Sequence, residues 1–206
     1  MGWKLFSIIY KTKDKKESEL IKQIENGTKA VEFLKVGKKS FGECMNPKEG
    51  FLYISKYKDF LIINDADIVV DFFQNPASKT ERFWRSLSIN GKNIYCFMLE
   101  SVSCMYGFAY ISNQRKIRCK WGTLDDSIIL DIGSPLEPEK EFYKKEQIDA
   151  LIEEGEIEFH QIGENLVFHL MANILGEESI TNSELMNLQM TEYKKVILDD
   201  FEYKFF

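Results

Sequence analysis

Three strand-like segments follow one another between Ile94 and Trp121, and the last two are separated by only Asn113 and Gln114. The segments are Ile94 to Val102, Cys104 to Ser112 and Arg115 to Trp121, each rich in aromatic and β-branched residues. A two-residue link can reverse a strand but cannot carry the chain back to begin a parallel one. This part of the chain is therefore an antiparallel meander, with "SIILDIG" supplying a fourth strand. That constraint argues against a doubly wound parallel sheet.

The rest of the chain adds helices without strict alternation. Trp3 to Tyr10 reads as a first strand. A helix follows over "DKKESELIKQIENG", where Asp14 and Glu17 have capping-box spacing and Gly27 marks the end. Ala30 to Val36 reads as a strand, "KKSFGECMNPKEG" as a loop, and "FLYISKYKDFLIIND" as strand with a break near Lys58-Asp59. Ser78 with Glu81 is a second capping box, opening a helix whose apolar face is Phe83, Trp84 and Leu87. Downstream, "KKEQIDALIEEGE" reads as a short helix, "IEFHQI" as an edge strand and "ENLVFHLMANILG" as an apolar helix. The expected fold is α+β, with a mostly antiparallel sheet, a β-meander and several packed helices. Residues 1–176 are expected to form a single domain. Residues 177–206 form a C-terminal extension that docks as a short helix plus a strand, on an edge of its own sheet or on a second copy of the chain, as a homodimer. Leaving Val196, Ile197, Leu198, Phe201 and the terminal aromatics in water would be unfavourable.

Charge is unevenly placed along the 206 residues. Residues 1–60 hold 13 lysines against 8 acids, whereas residues 137–158 hold 9 acids against 3 lysines. An acidic second half disfavours a nucleic acid backbone as partner, since that needs clustered cations. The lysines of the first third are interspersed with acids and read as a solvated surface. No apolar run reaches the length of a membrane span, and "MGWKLFSIIYKTKDKK" lacks the features of a signal peptide. Cys44, Cys96, Cys104 and Cys119 show no zinc-ligand spacing, so reduced thiols in a cytoplasmic protein are expected.

One motif has an enzymatic look. "FLIINDADIVVDFF" runs an apolar strand into Asp65-x-Asp67. It resembles the first motif of haloacid-dehalogenase-type phosphatases, in which one such Asp is the nucleophile and the next the acid/base, both near magnesium. The likeness implies a metal-dependent phosphohydrolase using Asp65 and Asp67. The sequence departs from that pattern: the acid pair that imitates its last motif, Asp199-Asp200 after an apolar run, lies almost at the C-terminus, and no Gly-Asp motif is present. A polar turn ending a strand is the plainer reading. His160 and His169 have no Ser or Cys motif beside them and read as packing residues.

The stretch "GFAYISNQRKIRCKWG", the later "DIGSPLEPEKEFY" and the "MGWK" start resemble an uncharacterised bacterial domain-of-unknown-function family. The resemblance implies that Arg118 is that family's hairpin arginine and that Glu137 or Glu139 is its acid; it brings no mechanism. Arg118 and Asp131, on neighbouring strands, are expected to form an ion pair that is structural or floors a groove. The acid run from Glu137 reads as a solvated face or as a surface for a basic protein. The resulting expectation is a non-catalytic protein- or ligand-recognition domain of the immunity or neutralising-partner type. It would need no cofactor, and Arg118, Asp131, Glu137 and Glu139 are its binding candidates.

Overall fold

A computed structural model describes residues 2–28, 31–75, 77–123, 128–146 and 159–197. The elements in order are β1 (Lys4–Lys11), α1 (Glu17–Thr28), β2 (Val31–Ser40), α2 (Phe41–Cys44), β3 (Phe51–Tyr57), β4 (Phe60–Asn64), α3 (Ala66–Gln74), α4 (Lys79–Leu87), β5 (Ile94–Glu100), β6 (Met105–Ser112), β7 (Arg115–Gly122), β8 (Leu130–Ile132), α5 (Glu137–Glu146), α6 (Phe159–Leu175), α7 (Ser183–Met186) and β9 (Gln189–Ile197).

The nine strands form one sheet in the order β2-β9-β3-β4-β1-β5-β6-β7-β8. Every pair of neighbours is antiparallel. The fold is α+β, and β5 to β8 are the meander that the two-residue link required. At that link Asn113 and Gln114 both take positive φ, 47° and 62°, which is the twist of a two-residue hairpin turn. Lys58, at the break between β3 and β4, is also left-handed, at 51°.

Both faces of the sheet are covered, which is why β1 and β4 are buried along nearly their whole length. On one face Leu5, Ile9, Ile62, Phe97 and Phe108 pack with Leu166, Leu170 and Met171 of α6 and Phe142 of α5. On the other, Ile8, Leu52, Ile54 and Ile63 pack with Leu20 and Ile24 of α1, Val69 and Phe72 of α3 and Trp84 of α4. Gly163 lets α6 lie directly on β6: a Cβ there would stand 2.4 Å from the Tyr106 ring.

Several segments differ from the sequence expectation. The helix α1 starts at Glu17, later than a box opening at Asp14 would place it. The expected loop over residues 38–50 contains the end of β2 and the short α2, whose Ser40 and Glu43 form a reciprocal capping box. Residues 66–74 are helix, so Asp65 ends β4 by opening α3. Helix α5 occupies the proline-acid stretch, while the helix expected over residues 144–156 falls mostly outside the described residues. The strand expected over "IEFHQI" is overturned from Phe159 onward, where α6 begins. The strand β9 lies between β2 and β3, paired with both, and not on an edge. Residues 198–206 lie outside the described residues. Among the described residues no helix is long and apolar enough to cross a membrane.

Candidate functional site

The motif residues of the meander meet in one place. Arg118 and Lys120 alternate on β7, so both face the side that α5 covers. Arg118 is 1% exposed. Its Nε donates to Glu139 Oε2 at 2.9 Å and its Nη2 to Glu139 Oε1 at 2.6 Å. Its Nη1 donates to Asp131 and, at 3.0 Å each, to the carbonyls of Ile132 and Gly133. The guanidinium thus spends its donors on β8, on the turn after it and on α5. Burial alone would weaken its charge; the hydrogen bonds and charges of Glu139 and Asp131 outweigh that and raise its pKa.

Glu139 is fully buried and its Oε2 also accepts the Leu136 N–H at 3.1 Å, so it fixes the start of α5 as well. Lys120 donates to the Tyr143 hydroxyl at 2.9 Å and lies 3.7 Å from Asp131. Two cations and two carboxylates therefore balance. The turn between β8 and α5 depends on Gly133, whose φ is +82° and whose added Cβ would fall 2.0 Å from the Ile117 carbonyl oxygen. Of the four binding candidates, Arg118 and Glu139 are inside this cluster, Asp131 is at its exposed rim, and Glu137 faces solvent in an i,i+3 pair with Lys140.

Residues 11–179 match a protein family described as "Family of unknown function (DUF6928)". The chain belongs to this family. The matched stretch holds Arg118, Asp131, Gly133, Glu137 and Glu139, so the cluster lies wholly within the DUF6928 region, and β9 lies beyond it. Searches of the curated proteins and of the solved structures found no match.

Asp65 and Asp67 meet a different partner from the one the phosphatase likeness implies. Asp65 is the N-cap of α3, its Oδ1 accepting the Ile68 N–H at 3.1 Å. Lys195 of β9 donates to Asp65 Oδ1 at 2.8 Å and to Asp67 Oδ2 at 2.6 Å. Asp65 is fully buried, and its Oδ2 has no hydrogen-bond partner. Burial pushes the Asp65 carboxyl up to about 6, against the pull of Lys195 and of the Ile68 N–H. Burial works against the Lys195 charge too, but two carboxylates share this lysine and its pKa is raised. The strand that delivers Asp65, β4, runs antiparallel to both neighbours, β1 and β3. A nucleophile at that position would have to reach substrate from inside the protein. Asp199 and Asp200 lie outside the described residues. His169 is on α6 beside the Phe142 ring, 5.4 Å between centroids, as a packing residue would be; the His160 side chain is outside the described residues.

Sequence reasoning passed over one concavity. Lys15, Lys16, Lys35 and Lys56 line an open groove of about 520 Å³ together with Tyr193. These lysines lie in three separate stretches of sequence, so nothing local announces that they converge.

Proposed function

We propose that the chain is a non-catalytic recognition domain, and in finer terms a cytoplasmic neutralising partner for a basic protein, of the kind that small acidic immunity proteins represent. The observation that carries this reading is the direction of the acids on α5. Arg118 turns Glu139 inward and fixes the helix, while Glu137, Glu141 and the rim residue Asp131 stay exposed. A rigid element presents charge without paying for its own ordering, which favours fast and selective docking of a cationic surface. Residues 137–158 carry 9 acids against 3 lysines, the densest negative stretch of the chain. Cys44, Cys96, Cys104 and Cys119 are free thiols, in keeping with a reducing compartment.

The test is capture from an extract of the native host, followed by mass spectrometry, with the wild-type chain and a Glu137→Lys, Glu141→Lys variant side by side. The expected result is a basic protein retained by the wild type, released by salt and lost with the charge reversal. Capture of no basic protein, or equal capture by both chains, overturns the reading.

A further inference from the structure

We propose that the groove lined by Lys15, Lys16, Lys35 and Lys56 binds a small organic phosphate. The site is independent of the acidic face and is built by the sheet. Lys35 of β2 stands directly opposite Tyr193 of β9, and Tyr193 stands opposite Leu52 of β3. Side chains directly opposite share a face, and Lys56, four residues beyond Leu52 on β3, shares it too. Helix α1 covers this face through Leu20, Ile21 and Ile24 but begins only at Glu17. Before that residue the face is open, and there it carries lysines.

The lysines are partly positioned already. Lys56 donates to the Lys13 carbonyl at 2.8 Å, which ties the loop between β1 and α1 to β3. Lys15 donates to Gln23 and lies 5.2 Å over the Tyr10 ring. Lys16 and Lys35 are exposed and form no ion pair with any described residue. Two acids also line the groove, Asp14 and Glu17, and Glu17 is engaged by the Thr191 hydroxyl at 3.1 Å. Four cations against two acids leave an excess of two positive charges, on a chain whose net charge is -6. Burial, and after it the nearby Lys92, press the Lys15 pKa downward against the opposing pull of Glu19.

A dianion matches that excess. Lysine is a point-charge binder of phosphate, and about 520 Å³ is within the size range of small-molecule sites. Tyr193 adds a half-buried ring and a hydroxyl donor to the lining. A long polyanion is disfavoured, because the second half of the chain repels it.

The test is two-dimensional amide NMR of the full chain at low ionic strength. Inorganic phosphate and ribose 5-phosphate are the probes, and sodium chloride of equal ionic strength is the control. The expected result is saturable shifts at residues 14–18, 35, 56 and 193 in the millimolar range or below, with ribose 5-phosphate the tighter. Lys35→Glu with Lys56→Glu, both exposed in the wild type, should weaken binding at least tenfold at unchanged melting temperature. Wild-type mapping needs no variant, so a variant that fails to fold leaves the test standing. Shifts no larger than those of chloride, shifts mapping elsewhere, or citrate binding as tightly as ribose 5-phosphate would overturn the proposal. So would tighter binding of a DNA duplex, which would make the face a nucleic acid surface. None of these outcomes bears on capture of a basic protein by the acidic face.

Discussion

Arg118 and Glu139 face each other through two nearly parallel hydrogen bonds, 2.9 and 2.6 Å long, with both side chains closed to water. Removing Arg118 leaves Glu139 buried without its cation, which costs about 3–5 kcal/mol. Arg118→Met is expected to lose that much stability in urea unfolding, and Glu139→Gln less, because Arg118 keeps Asp131 and the carbonyls of Ile132 and Gly133. Replacing both residues, as Arg118→Met with Glu139→Leu, should cost much less than the sum, although Asp131 then loses its own partner. A double-mutant cycle that shows simple additivity would mean the pair is not a coupled unit.

Gly133 supports the same cluster through the backbone. Its φ of +82° is strained for any other residue, and the Cβ of an alanine would press on the Ile117 carbonyl at 2.0 Å. Gly133→Ala must therefore move β8 away from β7, along with the carbonyl that Arg118 uses. The expected outcome is a drop in melting temperature, together with faster amide exchange at Cys119 and Lys120. Unchanged exchange at both positions would contradict this account.

What was legible in the sequence followed from short-range rules. The Asn113-Gln114 link, the break at Lys58 and the Ser78 cap of α4 each follow from steric or hydrogen-bond requirements within a few residues. The Ser40–Glu43 box was equally local and gave enough signal to find α2 within the stretch read as loop. Helix α3 was hidden because "DIVVDFF" has strand composition; the Asp65 cap and the apolar face of Val69, Phe72 and Phe73 prevail over propensity. The insertion of β9 between β2 and β3 depends on pairings more than 130 residues apart, which no window of sequence displays. The Arg118–Asp131 pair was within reach, being on adjacent strands. The burial of Glu139 was not, since it required knowing that α5 folds back over β7.

Asp65 is expected to be inert toward metal and phosphate esters. Its carboxylate is buried, caps α3 and already has an ammonium partner in Lys195. Magnesium titrated into the protein in a calorimeter should give no heat of binding. Hydrolysis of p-nitrophenyl phosphate that vanishes in Asp65→Asn would show that the carboxylate does become accessible and acts.

The same residue gives stability a pH dependence of unusual sign. A carboxyl whose folded value lies near 6 holds its proton more tightly folded than unfolded, where its value is 3.8. Its contribution is complete below about 4 and is lost as pH rises through about 6. The displacement corresponds to about 3 kcal/mol. The difference in unfolding free energy between wild type and Asp65→Asn should therefore move in favour of the wild type as pH falls from 7.5 to 4.5. Comparing the two chains cancels the opposite trend of Glu81, Glu100 and Glu177, whose depressed values make stability fall in acid. A difference that is flat across the window would show that Asp65 is not desolvated.

The strand β9 gives the widest test, because one deletion removes three kinds of support at once. It pairs along its length with β2 and over four residues with β3, so a chain ending after Leu188 opens a slot between them. Met190, fully buried in the core on the α6 face, is lost with it. Lys195 goes as well, leaving Asp65 buried without its cation. The slot exposes unpaired backbone on two strands, and such edges recruit whatever strand is at hand. The shortened chain should therefore lose its cooperative melting transition and tend to aggregate. A synthetic peptide of residues 187–206, added in excess, should restore the transition by filling the slot as a donated strand. If the shortened chain instead stays folded and only a dimer is lost, β9 serves a second copy. If stability and assembly are both unchanged, the segment contributes nothing to the fold, and its place between β2 and β3 is refuted.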